Sequence, residues 1–175
     1  MNSFLDKLCL KRLCLPSNID INLIRNSSIK HFDCACDTSK HIAVCFKNGN
    51  ILNVLSYGTN VYDNGGSVGT IHAEMKAIYN LQSHSPNKKH LIKLDILVIR
   101  TSNIGKIGMS KPCFKCILDL STIPQKKGYI IKNIYYSNND GDLVKTTLKS
   151  LINNKDFHIS RYYLNHGFKH DLLKK

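Results

Sequence analysis

The stretches TIHAEMKAIYN (residues 70–80), LDILVIR (94–100) and PCFKCILDL (112–120) decide the fold of this chain. Apolar residues in the first stretch recur at intervals of three and four, which predicts a helix through residue 81 with Thr70 as its N-cap. The second stretch is a nearly unbroken apolar run, typical of a buried strand. Pro112 begins the third stretch as prolines often begin a first helical turn. We therefore predict a helix, a buried strand and a second helix, in that order.

Residues on either side of this unit predict further strands. Two β-prone runs, 41–46 and 51–57, flank Asn48-Gly49, and such a pair of residues favours a hairpin because both tolerate positive φ. Residues 129–137 predict another strand, and residues 143–152 predict a strand that becomes a helix. This order of elements indicates a mixed sheet flanked by helices.

The length of 175 residues suits one domain that spans residues 1–175. We place its core at about residues 40–155, by the extent of the periodic segments. An N-terminal helical extension precedes the core, with a short amphipathic helix at 4–15 and a candidate second helix around 19–29. The C-terminal tail from residue 156 has no clear pattern.

The composition excludes several classes of protein. Hydrophobic residues make up 42% and charged residues 21% of the chain, which is ordinary for a globular protein. No apolar run approaches the roughly 20 residues of a membrane-spanning helix, and charged residues interrupt the N-terminal segment 1–15 where a signal peptide needs an apolar stretch. The seven cysteines are an odd number, which favours a reducing compartment over a disulfide framework. We expect an intracellular, cytoplasmic protein with no membrane partner.

The charge is strongly positive, with 25 Lys+Arg against 12 Asp+Glu and a formal net charge of +13. A basic surface attracts nucleic acid or phosphorylated small substrates. The chain is also rich in Asn, Ile and Lys, the residues of A/T-rich codons, and no run of five like charges occurs. Both a nucleic-acid partner and a simple codon bias therefore remain open.

Two segments carry the chemistry: Thr70–Glu74, with the pattern H-x-E, and Ser110–Cys116, with the pattern P-C-x-x-C. Two thiolates, Cys113 and Cys116, at the start of one helix can face a single ion, and the imidazole of His72 can complete three protein ligands. A fourth coordination place is then left for water, as in a catalytic zinc site. The sequence therefore predicts a Zn²⁺ site.

Glu74 lies two residues after His72, too close to be the obvious fourth ligand, and can instead face the water. A carboxylate there can serve as base and then as acid in one catalytic cycle. Either segment alone is a weak signal, but both in this order match the H-x-E…P-C-x-x-C signature of zinc deaminases. A non-enzymatic zinc scaffold is the competing interpretation, and it has no use for a proton carrier at Glu74.

With these motifs, the chain resembles the cytidine deaminase-like superfamily, in particular its cytidine and deoxycytidylate deaminase type, over roughly residues 42–136. The resemblance implies an α/β fold, a three-layer α/β/α sandwich with a mixed sheet of about five strands. It also implies that Asn60, in the G-x-N pattern of residues 58–60, and the backbone of Ala73 contact the substrate. Such enzymes often form homo-oligomers, so we expect one here. Ser110 and Tyr162 are further candidates for substrate contact.

The expected reaction is hydrolytic deamination of a cytosine-containing nucleoside or nucleotide to the uracil product. By the resemblance, a hairpin after the second zinc helix is typical of enzymes on free nucleosides, whereas a helical crossover is typical of tRNA, polynucleotide and deoxycytidylate enzymes. The turn-forming residues 138–141 favour the hairpin and a small substrate. The alternative is an editing enzyme that holds an unstacked base and its phosphates with residues such as Arg161 and Tyr162.

Four residues near the start of the core are candidates for a second metal site: His31, Cys34, Cys36 and His41. Its C-x-C spacing is a poor match to structural zinc sites, where two to four residues usually separate the thiolates. The remaining cysteines are interpreted as small apolar side chains.

Overall fold

The structure is a computed structural model that describes residues 40–60, 71–84, 91–101, 107–154 and 158–159. Its strands are β1 (Lys40–Lys47), β2 (Asn50–Thr59), β3 (Ile92–Thr101), β4 (Ile107–Gly108), β5 (Tyr129–Ser137) and β6 (Leu143–Thr147). Its helices are α1 (Ala73–Tyr79), α2 (Phe114–Lys126) and α3 (Leu148–Asn153). The predicted helices at 4–15 and 19–29 lie outside the described residues.

The strands form one mixed sheet in the order β2-β1-β3-β5-β6, with the short β4 paired to the end of β3. The β3–β5 pair is parallel, and the other pairs are antiparallel. The α/β class and the mixed sheet of about five strands are thus confirmed. Strands β5 and β6 form the predicted hairpin, because Ser137 pairs with Leu143 across a short turn.

Both faces of the sheet carry buried apolar side chains, and the three described helices all pack on the same face. On one face, Ala43, Ile96 and Ile134 pack in one cluster with residues of all three described helices. On the other face, Leu97 and Tyr135 belong to a smaller cluster. The alternation of side chains along each strand accounts for the two clusters.

A buried carboxylate secures the β1–β2 hairpin to the centre of the sheet. Asn48 and Gly49 form the turn with φ of 58° and 66°, the left-handed conformation that the Asn-Gly pair predicts. The Oδ2 atom of Asp95 accepts a hydrogen bond from the Gly49 N–H at 2.8 Å. Its Oδ1 atom accepts bonds from the backbone and side-chain amides of Asn133 on β5. Asp95 therefore joins three strands at the end of the sheet remote from the α1 and α2 N-termini.

The helix boundaries differ in part from those predicted. Helix α1 begins at Ala73 with His72 as its N-cap, so the assignment of the N-cap to Thr70 was wrong. It ends at Tyr79, two residues earlier than predicted. Helix α2 begins after Pro112 and continues past residue 120 to Lys126, with Pro124 inside it. None of the helices in these described ranges is both long and apolar enough to cross a membrane.

One lysine links the C-terminal ends of the two longer helices. The ammonium group of Lys127, the residue after α2, donates to the backbone oxygens of Tyr79 at 2.7 Å and Leu81 at 2.8 Å. The backbone oxygen of Lys127 accepts from the His84 N–H at 3.0 Å. A cation at this position stabilises the exposed carbonyls at the end of α1.

Candidate metal centre

The two sequence motifs meet where α1 and α2 begin. His72 is the N-cap residue of α1, Cys113 is the N-cap residue of α2, and Cys116 lies in the first turn of α2. These helix starts adjoin the carboxyl ends of the parallel strands β3 and β5, the edge where ligands bind in α/β sheets. The structure therefore brings together the three residues that the sequence predicted as metal ligands.

A glycine sets the position of α1 on the sheet. A Cβ atom at Gly58 would lie 2.3 Å from the Ala77 nitrogen and 2.7 Å from the Ala73 oxygen, well inside contact distance. Helix and strand backbones can approach this closely only because Gly58 has no side chain. The hydroxyl of Ser56 then donates to the Ala77 oxygen at 2.8 Å and secures the same helix.

A serine pair sets the position of α2. The Ser110 hydroxyl, in a side chain only 3% exposed, donates to the Val98 oxygen at 2.7 Å and lies 2.8 Å from the Ser137 hydroxyl. The Ser137 N–H donates to the Ser110 hydroxyl, and the Ser110 N–H donates to the Ser137 oxygen. Ser110 was a candidate for substrate contact, but its hydroxyl is occupied in holding the segment before Cys113 against β3 and β5.

The three predicted ligands have the spacing that a tetrahedral metal needs. The Nδ1 atom of His72 lies 3.4 Å from the sulfur of Cys113 and 3.3 Å from that of Cys116. All three ligand atoms lie within 4.8 Å of one another. A zinc ion about 2.3 Å from sulfur and about 2.0 Å from nitrogen places such atoms about 3.5 Å apart. The donor set and its dimensions therefore fit zinc.

The electrostatics of the thiol pair also suit a cation. Hydrogen bonding from the Cys116 thiol and then from the His72 imidazole lowers the pKa of Cys113 to about 4. The pKa of Cys116 is raised, because Cys116 is the donor to Cys113 and because it is buried. The hydrogen bond to Cys113 raises the pKa of His72. The cluster thus holds protons that a divalent cation would displace on binding.

Glu74 lies two residues after His72 in the first turn of α1, and its side chain is buried, at only 4% exposed. Burial raises the pKa of its carboxyl group, and the charge of His72 and a hydrogen bond with Cys116 oppose that rise. A buried carboxyl next to metal ligands is placed to take up and release protons during a reaction.

Asn60 lies at the same end of the sheet as the ligands and is 8% exposed. Its Oδ1 atom accepts from the His41 N–H at 2.9 Å, and its own N–H donates to the His41 oxygen. Within the described residues, no hydrogen-bond partner is found for its Nδ2 group. The side chain of Ala73 is fully buried, so only its backbone can face the site.

Of the remaining sequence candidates, all but His41 lie outside the described residues: Tyr162, Arg161, His31, Cys34 and Cys36. The sequence indicates His41 only as a ligand of the second metal site, whereas the structure places it next to Asn60 and within electrostatic range of His72. In the ranges that the structure describes, the cluster around His72 is the single group of metal-ligating side chains.

Comparison with known proteins was made by sequence and by structure. No family model matches the sequence, and no curated protein matches it. The chain is similar in structure to cytidine deaminase from Burkholderia pseudomallei, with 17% identity and a TM-score of 0.46. It is also similar to cytidine deaminase from Mycobacterium leprae, with 17% identity and a TM-score of 0.40. Each match covers 69% of this chain and 84% of the other.

These similarities are likenesses of structure alone. At 17% identity and with TM-scores below 0.5, they assign no substrate or reaction to this chain. The functional argument therefore depends on the geometry of the site.

Proposed function

We propose that this chain is a zinc-dependent hydrolase that deaminates a cytosine-containing nucleoside or nucleotide and releases ammonia. One observation carries the proposal: the ligand atoms of His72, Cys113 and Cys116 converge beside the buried carboxyl of Glu74. Three ligands with an adjacent acid–base group are typical of catalytic zinc sites, whereas structural sites use four protein ligands. Within the described ranges, no fourth His, Cys, Asp or Glu joins the group.

Zinc held by these residues would activate a water molecule near neutral pH, because it lowers the pKa of that water to about 7. Glu74 accepts the proton of the attacking water and delivers it to the ring nitrogen next to the reacting carbon. A carbon–oxygen bond forms, and Glu74 then takes the proton of the new hydroxyl group and passes it to the exocyclic amine. The carbon–nitrogen bond breaks and ammonia leaves, so one water is consumed for each ammonia released.

Two further residues orient the substrate in this proposal. The Nδ2 group of Asn60 donates to the sugar, and the Ala73 backbone contacts the edge of the base. Their positions support these roles, since Ala73 follows His72 directly and Asn60 lies two residues after Gly58, which packs against the start of α1. The donor of Asn60 is the available group, because its Oδ1 atom is already bonded to His41.

The antiparallel β5–β6 hairpin supports a small substrate over a polymer. A polynucleotide deaminase stays the second candidate, favoured by the net charge of +13. A homo-oligomer remains a prediction from the resemblance.

The test is ammonia release by the purified, zinc-loaded protein from a panel of substrates. The panel contains cytidine, deoxycytidine, their monophosphates, adenosine, guanosine, single-stranded DNA and tRNA. Turnover of a cytosine nucleoside or mononucleotide is the expected result. Turnover of the polymers alone would establish the second candidate, and turnover of none would overturn both.

A further inference from the structure

A row of polar side chains crosses the sheet next to the metal centre. Asn60 follows β2, His41 is on β1 and Arg100 is on β3; Asn60 is bonded to His41, and His41 pairs with Arg100. Apolar pairing at this face ends with Ala43, which opposes Gly58 on β2 and Val98 on β3. Because side chains alternate along a strand, the polar row lies on the same face as Ala43 and the helices.

The row extends towards the thiol pair. On the other side of β3, Arg100 pairs with Gly108, and the Arg100 Cδ atom lies 3.7 Å from where a Gly108 Cβ would be. The arginine stem therefore lies against β4, the strand that precedes the segment leading through Ser110 to Cys113. Arg100 is an exposed residue, so a ligand can reach its side chain.

Arg100 is the strongest charge acting on His41. Burial and then the charge of Arg100 lower the pKa of His41 to about 4; His72 and His158 act in the same direction, and Cys113 opposes them. The ion pair found among the described residues joins Lys115 and Asp119 and does not involve Arg100. An anion placed beside His41 and Arg100 would therefore meet a favourable potential.

The geometry points to a phosphate subsite formed by Arg100 and His41, so that the substrate of the proposed deaminase is a 5′-mononucleotide. A guanidinium group binds two phosphate oxygens at once in a planar, charge-assisted arrangement. The imidazole of His41 adds one N–H donor. Asn60, at the other end of the row, is left for the sugar, which places sugar and phosphate along one line of residues. This inference depends on the proposed function only for the identity of the base.

The test measures binding of ribose 5-phosphate to the zinc-loaded protein by titration calorimetry, together with Kd for inorganic phosphate. The variant Arg100→Gln removes the charge of the subsite. Lys93→Gln is the matched control, because Lys93 is an exposed cation at the opposite end of the same strand. We expect Arg100→Gln to weaken ribose 5-phosphate binding at least about tenfold, as for loss of charge-assisted hydrogen bonds. Lys93→Gln should leave it unchanged.

The outcomes separate this inference from the proposed function. Equal weakening by both variants, or none by Arg100→Gln, would overturn the phosphate subsite. Deamination of cytidine and its monophosphate with equal KM, unaffected by Arg100→Gln, would also overturn it and leave the deaminase intact. Arg100-dependent binding of ribose 5-phosphate without deamination of any base would support the subsite and overturn the reaction. Arg100-dependent binding of an oligodeoxycytidine without binding of ribose 5-phosphate would overturn the mononucleotide and indicate a polymer as the substrate.

Discussion

The candidate metal centre has a histidine half, His72 at the start of α1, and a cysteine half, Cys113 and Cys116 at the start of α2. The two halves are positioned by opposite means. The histidine half depends on what is missing, since α1 can contact β2 only where Gly58 has no side chain. The cysteine half depends on what is present, since the Ser110 hydroxyl bonds the segment before α2 to β3 and β5. Steric fit tolerates no added atom, whereas a hydrogen-bonded anchor fails when an oxygen is removed. The comparison predicts different responses to equally small substitutions.

The largest effect is expected at Glu74, which leaves both halves assembled. Glu74→Gln keeps the shape of the side chain but cannot carry a proton. We expect deaminase activity to fall by about 10²–10⁴-fold, the usual contribution of a general acid–base group. Zinc content, measured by atomic absorption, should stay near that of the unchanged protein.

Cys113→Ala is the contrasting variant, because it removes a ligand and should lose both zinc and activity. A Glu74→Gln protein that retains full activity would contradict the proton-carrier role. A zinc-free Glu74→Gln protein would instead place the carboxylate among the ligands.

The histidine half should respond strongly to a single methyl group. Gly58→Ala forces α1 away from β2, and overpacking of this kind typically costs about 1–3 kcal/mol. We expect a lower free energy of unfolding in urea and weaker zinc binding, since His72 moves with α1. Gly108→Ala is the control, because its Cβ would lie at an ordinary 3.7 Å from Arg100. Equal stability of the two alanine variants would contradict the close-contact argument.

The cysteine half should respond to loss of one oxygen. Ser110→Ala leaves the buried Val98 oxygen and Ser137 N–H without their partner, a loss of about 1–2 kcal/mol in the free energy of unfolding. Zinc affinity should fall as well, because the segment before Cys113 loses its anchor. Ser121→Ala, which removes an exposed hydroxyl bonded to Leu118, should change neither. If both serine variants behave alike, the buried anchor does not position the site.

The smallest effect concerns a buried thiol outside both halves. Burial raises the pKa of Cys45 to about 12 from an ordinary value of 9.0. The folded state therefore favours the neutral thiol, and this stabilisation is complete below pH 9 and lost as the pH rises towards 12. At pH 9.5 the loss should be below about 1 kcal/mol.

The measurement compares the zinc-loaded protein with Cys45→Ala in urea at pH 7.5 and pH 9.5, under reducing conditions. The difference in free energy of unfolding between the two proteins should shrink at the higher pH. A difference that stays constant or grows would show that Cys45 ionises as easily when folded as when unfolded.

Local chemistry explains why the five longer strands and the β1–β2 turn could be predicted, whereas the two-residue strand β4 was not. The Asn48-Gly49 pair sets its own backbone conformation, and the apolar run at 96–98 can be satisfied only by burial. The residues proposed as metal ligands could also be predicted, because they belong to two short motifs, H-x-E and P-C-x-x-C, at the starts of two helices. These features depend on residues close together in the sequence.

Other features depend on distant contacts and could not be predicted. The Thr70 assignment failed because His72 itself has an extended backbone and is the N-cap residue; its imidazole contacts two thiols and makes no capping hydrogen bond. His41 and Arg100 become neighbours only through the register of two strands separated by about fifty residues in sequence, and pattern analysis does not give that register.

The link between Lys127 and the end of α1 has a consequence for motion in the site. The two helices share contacts at both extremities, through the imidazole–thiol cluster at one end and the Lys127 ammonium at the other. Separation of α1 from α2 would have to break both sets of contacts at once. Admission of a substrate and exchange of a metal ion should therefore proceed while these helices move together as a single rigid body.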